Sequence, residues 1–335
     1  MTKSGLNTTL TDAKKNKKDE FYTQLSDIER ELKHYKGHFK NKVVYCNCDD
    51  PKVSNFFHYF SYNFEKLGLK KLIATCYKSQ DMDFFSQNSS EQAIYLEYEG
   101  DKNDNSQPDP EEIEIKYLKG DGDFRSSECI DLLKQADVVV TNPPFSLFRE
   151  YVSQLIEYDK KFLVIGNINA ITYKEIFKLI KENKVWLGVN IGRGISGFIV
   201  PSSYELYGTE ARIDESGSRI VSTNNCLWLT NLDNAERHED IILYKKYSSE
   251  EYPKYDNYDA INVNKTKDIP MDYDGVMGVP ITFLHKYNPD QFEILGCSYD
   301  YGRPEGWSNN IKMSGTINGV NVYKRLLIKN RKVVK

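Results

Sequence analysis

Between residues 42 and 188 the chain alternates short apolar runs with amphipathic stretches of about ten to fifteen residues, and that alternation sharply limits the folds open to it. "KVVYCNC" (42–48) reads as a buried strand. "VSNFFHYFSYNFEKLG" (53–68) follows, with Phe56, Tyr59, Phe60, Asn63 and Phe64 near helical spacing and Gly68 as a stop signal. "KKLIATCY" is strand again, and "SSECIDLLKQA" (126–136) is a helix opened by a serine cap. "DVVV", "SLFREYVSQLIEYD", "KFLVIGNI", "TYKEIFKLIKEN" and "KVWLG" then alternate strand and helix. Such a pattern implies βαβ units and an α/β fold with a doubly wound, mostly parallel sheet. Ligands of such sheets bind at the carboxyl ends of the strands. After about residue 190 the segments become turn-rich and β-like, and a second lobe is expected from near residue 236, after "CLWLTNL". The expected division is a flexible basic N-terminus (1–18), a large α/β domain (19–235) and a smaller lobe with a basic tail (236–335).

A chain of 335 residues suits one large domain plus a smaller one. The N-terminal "MTKSGLNTTLTDAKKNKKDE" has no apolar core and so is no secretory signal, and no apolar run reaches the length of a membrane span. An intracellular, cytoplasmic protein of a bacterium or phage is expected. Six cysteines fit the background of a reduced compartment. Cys46 and Cys48 share a strand face, but no second Cys or His pair follows at ligand spacing, so buried thiols and no metal site are expected. The net charge of −4 leaves room for local basic surfaces, "KKNKK" at 14–18 and the acid-free tail "YKRLLIKNRKVVK". A solvated, frayed end is the bland alternative for each cluster.

The run "ADVVVTNPPF" (136–145) carries the chemistry. A buried strand ends there in a rigid, donor-poor corner with an amide on one side and an aromatic ring on the other. A plain strand-ending turn is the structural alternative, since Asn-Pro is a common breaker. The chemical reading gives each residue a task. An exocyclic amine on a nucleobase is a poor nucleophile because its lone pair is delocalised into the ring. The Asn142 side-chain carbonyl and the Pro143 backbone carbonyl can accept both amine hydrogens and leave the nitrogen lone pair facing an electrophile. Pro143 and Pro144 fix φ and remove N–H donors. Phe145 offers a ring face on which a planar base stacks, worth about 1–3 kcal/mol.

The tetrad resembles the catalytic motif of S-adenosyl-methionine-dependent amino-methyltransferases. With "DEFYTQLSDIERELKHY", "KVVYCNCDDPKVSNFFHYF", "GDGDFRSSE", "VVVTNPPFSLFREYV", "FLVIGNINAITYKEIF" and "YDGVMGVPITFLHKYNPDQFEI", the chain is similar from residue 19 to about 294 to the EcoRI-type adenine-specific DNA methyltransferases. The resemblance implies a Rossmann-like catalytic domain, S-adenosyl-L-methionine as methyl donor and a target-recognition lobe. It places Phe21, Tyr22 and Thr23 near the donor's methionine part, and Asn47, Asp49 and Asp50 in the first strand-to-helix turn. It makes Asp123 the acceptor for the donor's adenine amine, with Phe124 packed beside it. Phe198 of "SGFIVP" becomes a candidate second ring against the target base, with a core Phe on a strand as the alternative. The chain departs from many donor-binding folds in having "CNCDDP" where glycines are usual, and "KKLIATCY" ends without an immediate acidic residue for the ribose.

The expected partner is double-stranded DNA, whose adenine flips into the pocket for methylation at N6. Lys324, Arg325, Lys329, Arg331 and Lys332 would contact phosphates, which position a duplex without reading its sequence. The chain is expected to act as a monomer, with no membrane and no obligate complex; whether a cognate restriction endonuclease exists is open. Two other readings stand beside this one: the same chemistry on another planar amine (cytosine N4, an RNA base or a protein glutamine), and a catalytically silent DNA-binding protein.

Overall fold

The computed structural model describes residues 22–48, 54–75, 93–105, 107–190, 195–200, 211–215, 217–222, 225–298 and 315–334. The chain divides into two units, one of residues 1–170 with 190–232 and one of residues 171–189 with 233–335.

In the first unit the apolar runs form the sheet they imply. β2 (Val43–Cys46), β3 (Lys71–Thr75), β6 (Val138–Thr141) and β7 (Lys161–Asn167) lie side by side in the order β3-β2-β6-β7, every neighbouring pair parallel. β2 and β6 are buried along their whole length, as strands covered on both faces must be. The flanks differ from the expected mostly parallel sheet. β4 (Ile94–Tyr98) adds antiparallel to β3, β5 (Glu114–Tyr117) antiparallel to β4, and β12 (Cys226–Thr230) antiparallel to β7. The sheet is therefore mixed, with three parallel and three antiparallel pairs among these seven strands. For the β4–β5 pair the physical reason lies in the acidic loop between them. It links two short segments directly, and a hairpin needs no crossover helix.

Helices α1 (Leu25–Leu32), α2 (Asn55–Tyr62), α3 (Phe64–Leu67), α4 (Ser127–Gln135) and α5 (Phe148–Glu157) belong to the same unit. Ser126 caps α4 as expected, its hydroxyl accepting from the Cys129 amide at 3.3 Å. The stretch expected as one helix over 53–68 is broken at Asn63, whose side chain donates to the Tyr59 carbonyl at 2.8 Å. Gly68 ends α3 with φ +64°. Fully buried Trp228 of β12 meets the Phe56 ring edge-to-face, with centroids 6.2 Å apart.

A second, small sheet in this unit joins distant segments. β1 (Tyr22–Thr23) pairs antiparallel with β9 (Phe198–Ile199), β9 with β11 (Arg219–Val221), and β11 with β10 (Ala211–Ile213).

The second unit contains helix α6 (Lys174–Lys181), strand β8 (Trp186–Leu187) and a sheet. In that sheet β13 (Ile261–Asn262), β14 (Met277–Val279), β18 (Leu326–Asn330) and β15 (Phe292–Cys297) lie in that order. A hairpin of β16 (Thr316–Ile317) and β17 (Val320–Asn321) precedes β18. The acid-free tail is thus no frayed end. Leu326, Leu327 and Ile328 are buried, and β18 is an interior strand paired antiparallel on both sides.

Candidate active site

The corner after β6 is built from its strand outward. Thr141, fully buried, donates its hydroxyl to the Asn47 carbonyl just past the end of the neighbouring strand β2. Asn47 is 4 % exposed and its side-chain oxygen accepts from the Tyr151 phenol of α5. Burial pushes the Tyr151 pKa well above its ordinary value, so the phenol remains a neutral donor. The carboxyl ends of the two central parallel strands are thus tied to each other and to the helix that follows the corner.

Asn142 comes next, 9 % exposed, followed by Pro143 and then Pro144 at φ −56°, ψ 122°. A short 3-10 turn, Phe145–Leu147, leads into α5. Phe148, at the start of α5 and 2 % exposed, packs against Gly166 of β7 so closely that a Cβ there would lie 2.5 Å from the ring. Phe145 is half-buried and its ring meets Phe198 edge-to-face, with centroids 6.3 Å apart and an interplanar angle of 69°.

The donor-side candidates gather around the same strand ends. In register, Thr23 opposes Phe198 and Tyr22 opposes Ile199, so β1 lies directly beside the strand that carries Phe198. Thr23 is 1 % exposed, and its carbonyl accepts from the Asn55 side chain at 2.8 Å. Phe124, 6 % exposed, packs edge-to-face on Tyr151 at 5.0 Å. Phe21, Asp49 and Asp50 lie outside the described residues.

One local conformation stands in for a missing glycine. Cys48 takes φ +79°, the left-handed conformation that glycine supplies elsewhere, two residues past the end of β2. Gly122 takes φ +79° in the turn that presents Asp123. The Arg125 side chain beside Asp123 holds that carboxyl below the usual carboxylate range. Asp123 Oδ1 accepts from the Arg125 amide and Nε, both at 2.8 Å, and Oδ2 from Arg125 Nη2 at 2.6 Å. A carboxylate offers about four acceptor sites, so one on Oδ2 is left for an amine. Asp123 and Phe124 together suit a flat, amine-bearing ring, as the adenine of S-adenosyl-methionine is.

Sequence reasoning missed Tyr151, Arg125 and Thr141 as supports of the site. Arg125 sits two residues from Asp123 and was open to inference, whereas the reach of Tyr151 to Asn47, 104 positions away, has no local signal. The tail cations are in the second unit. Lys332 Nζ pairs with Asp240 at 2.8 Å, and Arg331 lies 3.8 Å from Glu293 and donates to the Pro289 carbonyl. Arg325 donates to Asn262 and Asn264; Lys324 and Lys329 are exposed.

A mixed α/β sheet whose central strand ends in an Asn-Pro-Pro-Phe corner is consistent with a methyltransferase fold. The family model described as "Adenine-specific methyltransferase EcoRI" matches residues 9–331. Type II methyltransferase M.EcoRI of Escherichia coli is 60 % identical over 337 residues, covering 100 % of both chains. Type II methyltransferases M.MgeORF184P of Mycoplasma genitalium and M.MpnI of Mycoplasma pneumoniae are 40 % and 38 % identical, each covering 96 % of this chain and 98 % of its own. No solved structure matches the chain. The chain belongs to the EcoRI family of adenine-specific methyltransferases and is an adenine-specific DNA methyltransferase.

Proposed function

We propose that the enzyme transfers a methyl group from S-adenosyl-L-methionine to N6 of an adenine flipped out of duplex DNA. The observation that carries this reading is the corner itself: Asn142 and two prolines at the end of a buried parallel strand, with the half-buried Phe145 ring beside them. The Asn142 side-chain oxygen and the Pro143 carbonyl accept the two amine hydrogens. The base stacks on Phe145, which with Asn142 and Pro143 turns the amine lone pair toward the donor site. Bound S-adenosyl-methionine would supply an electrophilic methyl group there and leave as the neutral thioether, the extra proton on nitrogen passing to solvent. Positioning and desolvation supply the rate rather than a strong base.

Tyr22, Thr23, Asn47, Asp123 and Phe124, with Phe21 and the acidic pair Asp49 and Asp50, hold the donor in a Rossmann-like methyltransferase arrangement. The second unit, with its amide- and ring-rich stretch from 255 to 292, reads the target sequence. The tail cations meet phosphates. The enzyme acts as a cytoplasmic monomer, because each strand of a methylation site can be modified in turn, and it guards DNA against an endonuclease of the same specificity.

Donor carrying a labelled methyl group, incubated with duplex DNA and the purified enzyme, tests the proposal. Label recovered as N6-methyladenine is the expected result. Label on cytosine, or only on protein, would overturn it.

A further inference from the structure

Helix α1 buries two acids on one face, Asp27 and Glu31, both 0 % exposed and four residues apart. Like charges at that spacing disfavour a helix, and a buried acid without donors is costly. Packing alone would have been served better by apolar residues. Both acids face one segment, the chain that leads to Phe198. Glu31 Oε2 accepts from the Asn190 amide at 2.8 Å and from its side chain at 2.9 Å. Asp27 Oδ2 accepts from the Ser196 amide at 2.7 Å and its hydroxyl at 3.0 Å, while Oδ1 takes Arg30.

The neighbouring Gln24 tightens the same grip, its Nε2 donating to Ser196 Oγ and to the Gly197 carbonyl, both at 2.8 Å. The Ser196 carbonyl in turn accepts from Ser222 Oγ at 3.1 Å. Gly197 has φ +142°, and a Cβ there would lie 2.8 Å from Ile220 Cγ2 and 2.9 Å from the Val221 carbonyl. The two residues before Phe198 are therefore fixed from both sides. Phe198 itself is 2 % exposed and touches the Phe145 ring.

We propose that Asp27 is a positioning residue for methyl transfer, acting through Ser196 and Gly197 to hold Phe198 as the buttress that sets the face of Phe145 toward the target base. The proposal rests on the reading of Phe145 as the stacking ring. At 6.3 Å and 69° the two rings contact each other, so Phe198 steadies Phe145 from its edge. Without the clamp, Phe145 keeps its place in the chain but samples more orientations, and the flipped base is held less often in line with the methyl donor. The effect belongs to base capture and transfer, not to the affinity for donor.

The test uses the full-length enzyme and a duplex carrying the site it methylates, with 2-aminopurine at the target position for a fluorescence reading of base capture. Asp27→Asn, Phe198→Leu and the double variant are compared by single-turnover rate, fluorescence rise and donor dissociation constant. Asp27→Asn is expected to slow transfer by about tenfold or more, a change of ~1.4 kcal/mol, and to diminish the fluorescence rise. Donor affinity should stay within about threefold. In the Phe198→Leu background the same substitution should lose about twofold or less, because coupled residues are not additive. Equal losses in both backgrounds, an unchanged rate, or a loss of donor affinity as large as the loss of rate would overturn the proposal. Should Asp27→Asn fail to fold, Ser196→Ala removes one hydroxyl from the clamp and is held to the same non-additive pattern. A Phe198→Leu enzyme that is slow while Asp27→Asn is silent contradicts the clamp alone. A Phe145→Ala enzyme with wild-type rate and fluorescence contradicts the base-stacking reading beneath it.

Discussion

Asn142 has one task in this account, to hold an amine so that its nitrogen can attack. It sits one residue beyond β6, 9 % exposed, on a strand end fixed by Thr141 and Asn47. Losing a transition-state hydrogen bond of this kind costs about 2.7–4 kcal/mol, so Asn142→Ala should lower the rate by roughly 100- to 1,000-fold. Folding and donor binding should persist, as calorimetry with S-adenosyl-methionine can show. Retention of more than about a tenth of the wild-type rate would mean that the amide does not align the amine. Phe145→Ala should weaken base capture more than donor binding, by about 1–3 kcal/mol for the one stacked base. The Asn-Pro-Pro-Phe corner was legible in the sequence because each of its residues carries its chemistry locally. The clamp was not, since Asp27 and Ser196 are 169 positions apart and an acid in an amphipathic helix reads as solvent-facing.

At the scale of elements, the corner depends on how α5 seats on β7. Phe148 follows the 3-10 turn directly and fills the space that the absent Gly166 side chain leaves open. Gly166→Ala would drive a methyl into the ring, and such overpacking costs about 1–3 kcal/mol. Its unfolding midpoint should fall, and transfer should slow because the displaced ring begins the helix that anchors the corner. An unchanged midpoint and rate would show that the seat is loose. The parallel core β3-β2-β6-β7 was readable from apolar runs spaced by helices, as was the serine cap of α4. The antiparallel flanks were not. β5 is largely exposed, so its pairing is set by the neighbouring edge rather than by a burial pattern of its own. Asn63 breaks the first long helix for a reason equally hidden from periodicity, a side-chain bond to the backbone.

For the whole molecule, the tail is structure as well as charge. Lys324 and Lys329 are exposed on and before β18, and Lys332 is engaged by Asp240. Replacing Lys329 by Gln should flatten the slope of log K against log salt, for specific and nonspecific DNA alike. The expected change is about 0.9 for each phosphate that is no longer neutralised. Lys332→Gln should flatten it less; an equal change would mean that the Asp240 pair opens on binding. His238 gives the second unit a pH dependence. Nδ1 lies 2.7 Å from Asp290 and Nε2 3.0 Å from Asp233, so both ring nitrogens face acceptors and the pKa is raised above 6.5. The stabilisation is fully present below about pH 6.5 and is lost as pH rises through the raised value. His238→Gln should therefore lower the unfolding midpoint at pH 6 and have little effect at pH 9; a pH-independent difference would remove the imidazolium from the account. The central claim, that the Asn142 corner methylates adenine N6 in DNA, is tested most directly by sequencing DNA from cells expressing the enzyme or its Asn142→Ala variant, with a readout that distinguishes N6-methyladenine. The account predicts methylated adenine at one short sequence with the wild-type chain and none with the variant; methylation at cytosine, or at the same adenines in both, would contradict it.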